Sequence, residues 1–152
     1  MNLKALKDDF ASCPDREAIY RKIIAWGKKL PPFNPEWKVE PNLVPGCQSL
    51  MYLHGRFEEG KLYFAASSDA LISAGLASIL ISFYNGSTPE EILATPPTFL
   101  KEFGIVSSLT PGRANGLASL YIRIKQTALK WRLETEGDDD AKLTQELNRQ
   151  HK

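Results

Sequence analysis

Residues 50–66, Leu50-Met-Tyr-Leu-His-Gly-Arg-Phe-Glu-Glu-Gly-Lys-Leu-Tyr-Phe-Ala-Ala66, read as two strands and the turn that joins them. Leu50 to Phe57 has strand character, and in Lys61 to Ala66 the apolar Leu62 and Phe64 alternate with Lys61, Tyr63 and Ala65. Between them Glu58-Glu59-Gly60 ends on the residue that takes a positive φ without steric cost, which is what a tight hairpin turn demands. Strands joined this closely pair antiparallel. With helical patterns on both sides of the hairpin, the fold class is α+β: a small antiparallel β-sheet of about three strands packed against helices. His54 points to the opposite face from Leu53, which makes it a surface or turn-facing side chain rather than a catalytic base.

Upstream of the hairpin, prolines at 31, 32, 35, 41 and 45 forbid a helix or a central strand, so this segment is an extended connector. Leu43 and Val44 are expected to pair briefly at a sheet edge, with Phe33 and Trp37 pinning the connector to the core. It delivers the chain to Val44-Pro45-Gly46-Cys47-Gln48-Ser49, which puts one cysteine on a hinge where loop becomes strand. Pro45 fixes its own φ, and Gly46 removes the side chain most able to obstruct an approach to sulfur. Two readings of Cys47 stand level on this pattern: a reactive thiol, or a small buried hydrophobe.

Helices account for the rest. Leu3, Leu6 and Phe10 recur at helical spacing; Pro14 then opens a second helix whose apolar side carries Ile19, Tyr20, Ile23, Ile24 and Trp26. Cys13, at the junction, reads first as a buried structural thiol and second as a resolving partner for Cys47. After the hairpin, Ser67, Ser68 and Asp69 offer an N-cap to an apolar helix over 70–84 that Gly86 stops. Thr88-Pro89-Glu90-Glu91 has the form of a capping box with proline at the first helical position, and Thr110-Pro111 opens the last long helix in the same manner. Its face is Leu117, Leu120, Tyr121, Ile124 and Ala128; residues 135–152, with three consecutive aspartates, form a polar tail beyond a domain over 1–134.

Composition limits the function. A formal net charge of +1 over 152 residues lacks the basic surplus that phosphate backbones require, which argues against nucleic acid and for protein partners. Two cysteines cannot build a disulfide framework or a four-cysteine metal site, so no metal is expected. The start of the chain lacks a secretory pattern and no apolar run approaches the ~20 residues that span a bilayer, so no membrane association and a cytoplasmic location are expected.

Three separated motifs, Val44 to Ser49, Ser68-Asp69-Ala70 and Leu109-Thr110-Pro111-Gly112-Arg113-Ala114-Asn115-Gly116-Leu117, resemble the SufE family of sulfur-acceptor proteins, which includes the CsdE type. The resemblance runs from about Phe10 to Leu129 and implies a SufE/IscU-like fold. It implies a persulfide carrier that takes sulfur from a SufS- or CsdA-type cysteine desulfurase onto Cys47, stimulates that enzyme, and passes sulfur to a downstream Fe–S scaffold complex. The pyridoxal phosphate (PLP) belongs to the desulfurase; no cofactor is expected on this chain. The site so implied is Cys47 with Arg113 and Asp69, supported by Gly46, Gln48 and Ser49, and the assembly is left open between monomer and homodimer. Leu50-Met51-Tyr52 stands where members often place Val-Trp, and Gly112 and Ala114-Asn115 stand where others have Ser and Ser-Gln, differences that bear on which desulfurase is the partner.

Chemically, the N-terminus of the last helix and Arg113 are the groups expected to favour a thiolate at Cys47, and Asp69 is read first as a cap and second as part of the site. Three rival classes compete with the carrier. A cysteine hydrolase would need His54 or His151 as base; a scaffold of the IscU kind needs more cysteine ligands; a plain interaction module would leave Cys47 inert.

Overall fold

A computed structural model describes residues 1–47 and 49–150 and, within the last helix, side chains as far as Thr135 and at Leu147. Helix α1 (Lys4–Ala11) buries Leu6 and Phe10. Helix α2 (Arg16–Gly27) begins later than Pro14 because Asp15 is the N-cap, its carboxylate accepting from Ala18 N–H at 2.9 Å. The proline-rich connector contains two single-turn 3₁₀ segments, Pro35–Trp37 and Glu40–Asn42. Strands β1 (Met51–Glu58) and β2 (Lys61–Ser68) follow, then α3 (Leu71–Tyr84), α4 (Pro89–Ala94), α5 (Phe99–Glu102) and α6 (Pro111–Gln150).

The hairpin turn is as expected: Glu59 (φ 51°) and Gly60 (φ 79°) both take left-handed conformations, the requirement of a two-residue primed turn. Its register, with Leu53 opposite Ala66 and Phe57 opposite Leu62, puts the apolar members on one face. Gly55 lies opposite Phe64, and a Cβ there would stand 3.2 Å from the Phe64 ring, so the missing side chain makes room for the aromatic one.

Among the described residues the sheet has two strands, not about three. Leu43 forms one antiparallel bridge to Tyr52, and Val44 N–H donates to the Met51 carbonyl at 2.8 Å; Pro41 and Pro45, on either side, keep this contact from becoming a strand. On the other edge the Asn85 side chain accepts from Phe64 N–H (2.7 Å) and donates to its carbonyl (3.3 Å), while Leu62 bridges Ser87. Side-chain amide and single bridges thus satisfy edge groups that a third strand would otherwise pair.

Helix α3 is apolar all round, as a helix enclosed by the rest of a domain must be. It crosses α2 at Gly27 and Gly75, where a Cβ on Gly75 would meet the carbonyl carbon of Ile23 at 2.6 Å. Its far side meets β2 and α6. Asp69 does not cap it. The N-cap is Ala70, with no acidic residue in the first turn, because Ser68 still pairs with Met51 and the Asp69 N–H goes to the Leu50 carbonyl (3.4 Å) before the chain turns. Phe33 and Trp37 also differ from expectation: Trp37 stacks on His54 (4.0 Å, 8°) and Phe33 lies against Trp37 and Tyr52, so they hold the connector to the outer face of the hairpin rather than the core. The capping box on α4 is present, Thr88 Oγ1 accepting from Glu91 N–H and Glu91 accepting from Thr88 N–H. Helix α6 continues through residue 135 as one element, and Trp131 stacks on Phe57 (5.0 Å, 16°). None of the described helices is long and apolar enough to cross a membrane.

Candidate functional site

The loop between Val44 and Met51 is held at both ends. Val44 is buried and tied to Met51, and the residues just before it are fixed from α6: Arg123 donates to the carbonyls of Pro41 (2.9 Å) and Leu43 (2.7 Å). Pro45 and Gly46 then turn the chain, Gly46 at φ 78° and so close to α6 that a Cβ would lie 2.8 Å from Ser119 Oγ. That turn presents Cys47 to the first turns of α6, where its thiol donates to the Gly116 carbonyl at 3.8 Å. Gly116 permits the approach: a Cβ there would stand 3.5 Å from the sulfur.

Cys47 is half-buried and a free thiol. Beside it is a cavity of about 10 Å³, room for one water-sized group. Burial pushes the Cys47 thiol above its ordinary range, and the Arg113 guanidinium pulls the other way without prevailing. The sequence singled out Arg113 and the amides of the helix start as groups favouring the anion. Arg113 does act in that direction, but the sulfur faces a carbonyl oxygen, which suits S–H rather than S⁻. In this pose Cys47 is a sheltered thiol whose surroundings favour the proton-bound form.

Arg113 is not a solvent-facing arginine. Its NH1 donates to Ser73 Oγ at 2.6 Å, and Ser49 Oγ donates to the same oxygen at 2.9 Å while lying 3.4 Å from Ser68 Oγ. The cysteine loop, α3 and α6 therefore meet in one hydroxyl–guanidinium cluster at the cavity edge. Asp69 sits outside it, exposed, beside Leu50 through its backbone; Leu50 and Leu71 are also exposed. Gln48 lies outside the described residues, as does His151. His54 is on the far face of the hairpin under Trp37 and does not line the cavity, so it is not placed to act as a base toward Cys47.

Of the residues the sequence suggested, Cys47, Gly46, Ser49 and Arg113 come together, and Asp69 stands apart on the rim. Ser73, Arg123 and the Gly116 carbonyl were not foreseen as parts of the site. Ser73 left one trace, a serine on an apolar helix; nothing local distinguished Arg123. Among the described residues no group of three or more His, Cys, Asp and Glu gathers as a metal site would require.

Fold and site together define an α+β domain that holds a half-buried free cysteine against the first turns of its last helix, on a loop anchored at both ends. The chain belongs to the SufE family: the model of the SufE Fe-S metabolism associated domain matches residues 4–128. Relatives include a SufE-like protein of Synechocystis, 36% identical over 132 residues (87% of this chain, 83% of that one), and the protein of Wigglesworthia glossinidia named cysteine desulfuration protein SufE, 35% identical over 123 residues (79% and 85%). A chloroplastic/mitochondrial SufE-like protein of Arabidopsis thaliana is 33% identical, the match covering 87% of this chain and 35% of that longer one. Among solved structures, the solution structure of a protein from Thermus thermophilus superposes with a TM-score of 0.69 at 28% identity, covering 84% of this chain and 93% of the other. The family ties this chain to iron–sulfur metabolism.

Proposed function

We propose that Cys47 carries sulfane sulfur from a cysteine desulfurase of the SufS or CsdA type toward iron–sulfur cluster assembly. The single observation that carries this reading is the placement of Cys47: a half-buried free thiol on a Pro45-Gly46 hinge, beside Arg113 and a cavity of about 10 Å³. In transfer, Cys47 gives up its proton and its thiolate attacks the outer sulfur of a persulfide on the partner's cysteine. The partner's S–S bond breaks, the new S–S bond forms on Cys47, and the partner cysteine leaves as thiolate. No external oxidant or reductant enters. PLP chemistry, which frees sulfur from cysteine, belongs to the desulfurase.

Reaction requires the loop to open. A cavity with room for one water-sized group cannot admit a second protein's cysteine, so residues 45–50 must swing out between the anchors at Val44 and Met51. Closed, the same loop keeps sulfur from the oxidants that convert exposed thiolates to sulfenic and sulfinic acids. Two unbridged cysteines suit a reducing compartment such as the cytoplasm.

The test is mass spectrometry after incubation with a cysteine desulfurase and cysteine: one sulfur atom is expected on Cys47, and the desulfurase is expected to turn over faster when this protein is present. A Cys47→Ser protein that is labelled to the same extent, or stimulates equally, refutes the assignment.

A further inference from the structure

Ser73 is 6% exposed, one of two serines, with Ser78, among the otherwise apolar or glycine buried positions of α3. Its oxygen receives two protons, one from Arg113 NH1 (2.6 Å) and one from Ser49 Oγ (2.9 Å). A hydroxyl has two acceptor lone pairs and one proton to give. With both lone pairs engaged, neither contact uses the proton that Ser73 itself carries.

Ser73 lines the cavity next to Cys47. Among the described residues that line it Arg113 is the one positively charged side chain, and the remaining wall is formed largely by Met51, Leu76, Leu117 and Leu120. An anionic sulfur enclosed by such a wall meets one full positive charge and one O–H that donates to no other acceptor among the described residues. Donors fixed in advance around a site of developing negative charge stabilise it more than water does, because they need no reorganisation and work at low dielectric.

We infer that the Ser73 hydroxyl is the hydrogen-bond donor to anionic sulfur at Cys47, the thiolate before loading and the outer sulfur of the persulfide after it. Arg113 then acts twice: its charge attracts the anion, and its hydrogen bond to Ser73 occupies a lone pair so that the Ser73 proton is turned toward sulfur. The loaded half of this inference rests on the sulfur-carrier reading; the thiolate half does not.

The experiment is built on that division. In a Cys13→Ser background, the pH dependence of Cys47 alkylation by iodoacetamide gives the thiol midpoint. Ser73→Ala is expected to move it up by about one unit, the size of a hydrogen bond to a charged group. Ser73→Thr keeps the hydroxyl and is expected to stay near the parent. The Thr and Val variants repeat the comparison at constant shape, should alanine disturb the fold. In an Arg113→Ala background, Ser73→Ala must still raise the midpoint, by less than in the parent because only Ser49 is left to orient the hydroxyl, since a residue that merely tethers Arg113 would then have no effect at all. Coincident Ser73→Ala and parent profiles, Thr behaving as Val, or loss of the shift once Arg113 is alanine would each overturn the inference. For the loaded form, protein charged by desulfurase and cysteine is exposed to cyanide, and Ser73→Ala is expected to release thiocyanate several-fold faster than the parent; an equal rate overturns that half. A parent that takes up no sulfur would sink the carrier reading while leaving the alkylation comparison to decide Ser73.

Discussion

Cys47 is governed by two opposing effects of its surroundings, burial raising its affinity for a proton and Arg113 lowering it, with burial the larger. Removing the smaller effect has a definite sign. Arg113→Ala is expected to raise the alkylation midpoint of Cys47 further and slow its reaction at neutral pH; a faster reaction with a lower midpoint would contradict the balance described. Gly46 pulls the other way. At φ 78° it occupies a conformation that costs an L-residue about 1–2 kcal/mol, and a Cβ there also meets Ser119. Gly46→Ala should therefore destabilise the closed loop, leave the core intact and make Cys47 alkylation several-fold faster at fixed pH, as thiol-labelling rates would register. His54 is held below its ordinary range by burial and secondarily by Arg56. Its folded form prefers to be neutral, so the stability this contributes is present above the unfolded value of about 6.5 and is lost as pH falls from there through the folded midpoint. An NMR titration should place that midpoint below 6.5, and Arg56→Ala should bring part of it back.

The α2–α3 crossing depends on a glycine that pattern alone does not explain. A methyl group on Gly75 would lie 2.6 Å from the backbone carbonyl carbon of Ile23, and a backbone atom cannot yield unless the helices move apart. Gly75→Ala gains helix propensity yet should lose at least about 1–3 kcal/mol by overpacking, seen as a lower thermal midpoint; a midpoint at or above the parent's would mean the helices separate freely. Local signals served the sequence well in this region and in the hairpin. Thr88 to Glu91 capped α4 as expected, Gly86 (φ 82°) stopped α3, and Gly60 made its turn, because each depends on residues only a few positions apart. What escaped was settled by contacts across the chain. The β2 edge is satisfied by Asn85, a side chain 21 residues from Phe64, so no third strand is needed. Arg113 reaches Ser73 across 40 positions and Arg123 reaches Leu43 across 80, and no periodicity reveals either. Asp69 looked like a cap because acidic residues favour helix starts; strand pairing through Ser68 delayed the helix and left it outside.

In the molecule as a whole, α6 links the cysteine site to the hairpin. Its first turns carry Arg113 and Gly116, Arg123 fixes the base of the cysteine loop, and Trp131 stacks on Phe57 of β1. At about 1.5 Å per residue its 40 residues extend roughly 60 Å, well beyond the ~30 Å span of a small domain. The dependence of the fold on this helix should therefore end where its contacts with the body end. Trp131 is the last residue of α6 in a ring stack with the hairpin among the described residues, and Thr135 only returns a hydrogen bond to the Trp131 carbonyl (2.8 Å) within the helix. A chain ending after residue 135 should unfold at the parent's temperature and alkylate at Cys47 at the parent's rate. Ending it after residue 130 removes the Trp131 stack and should cost about 1–3 kcal/mol, a drop of several degrees in Tm. If the shorter chain matched the longer, the stack would contribute nothing to the fold; if the chain ending at 135 were itself destabilised, residues beyond it would belong to the folded body and the boundary near 134 would have to move.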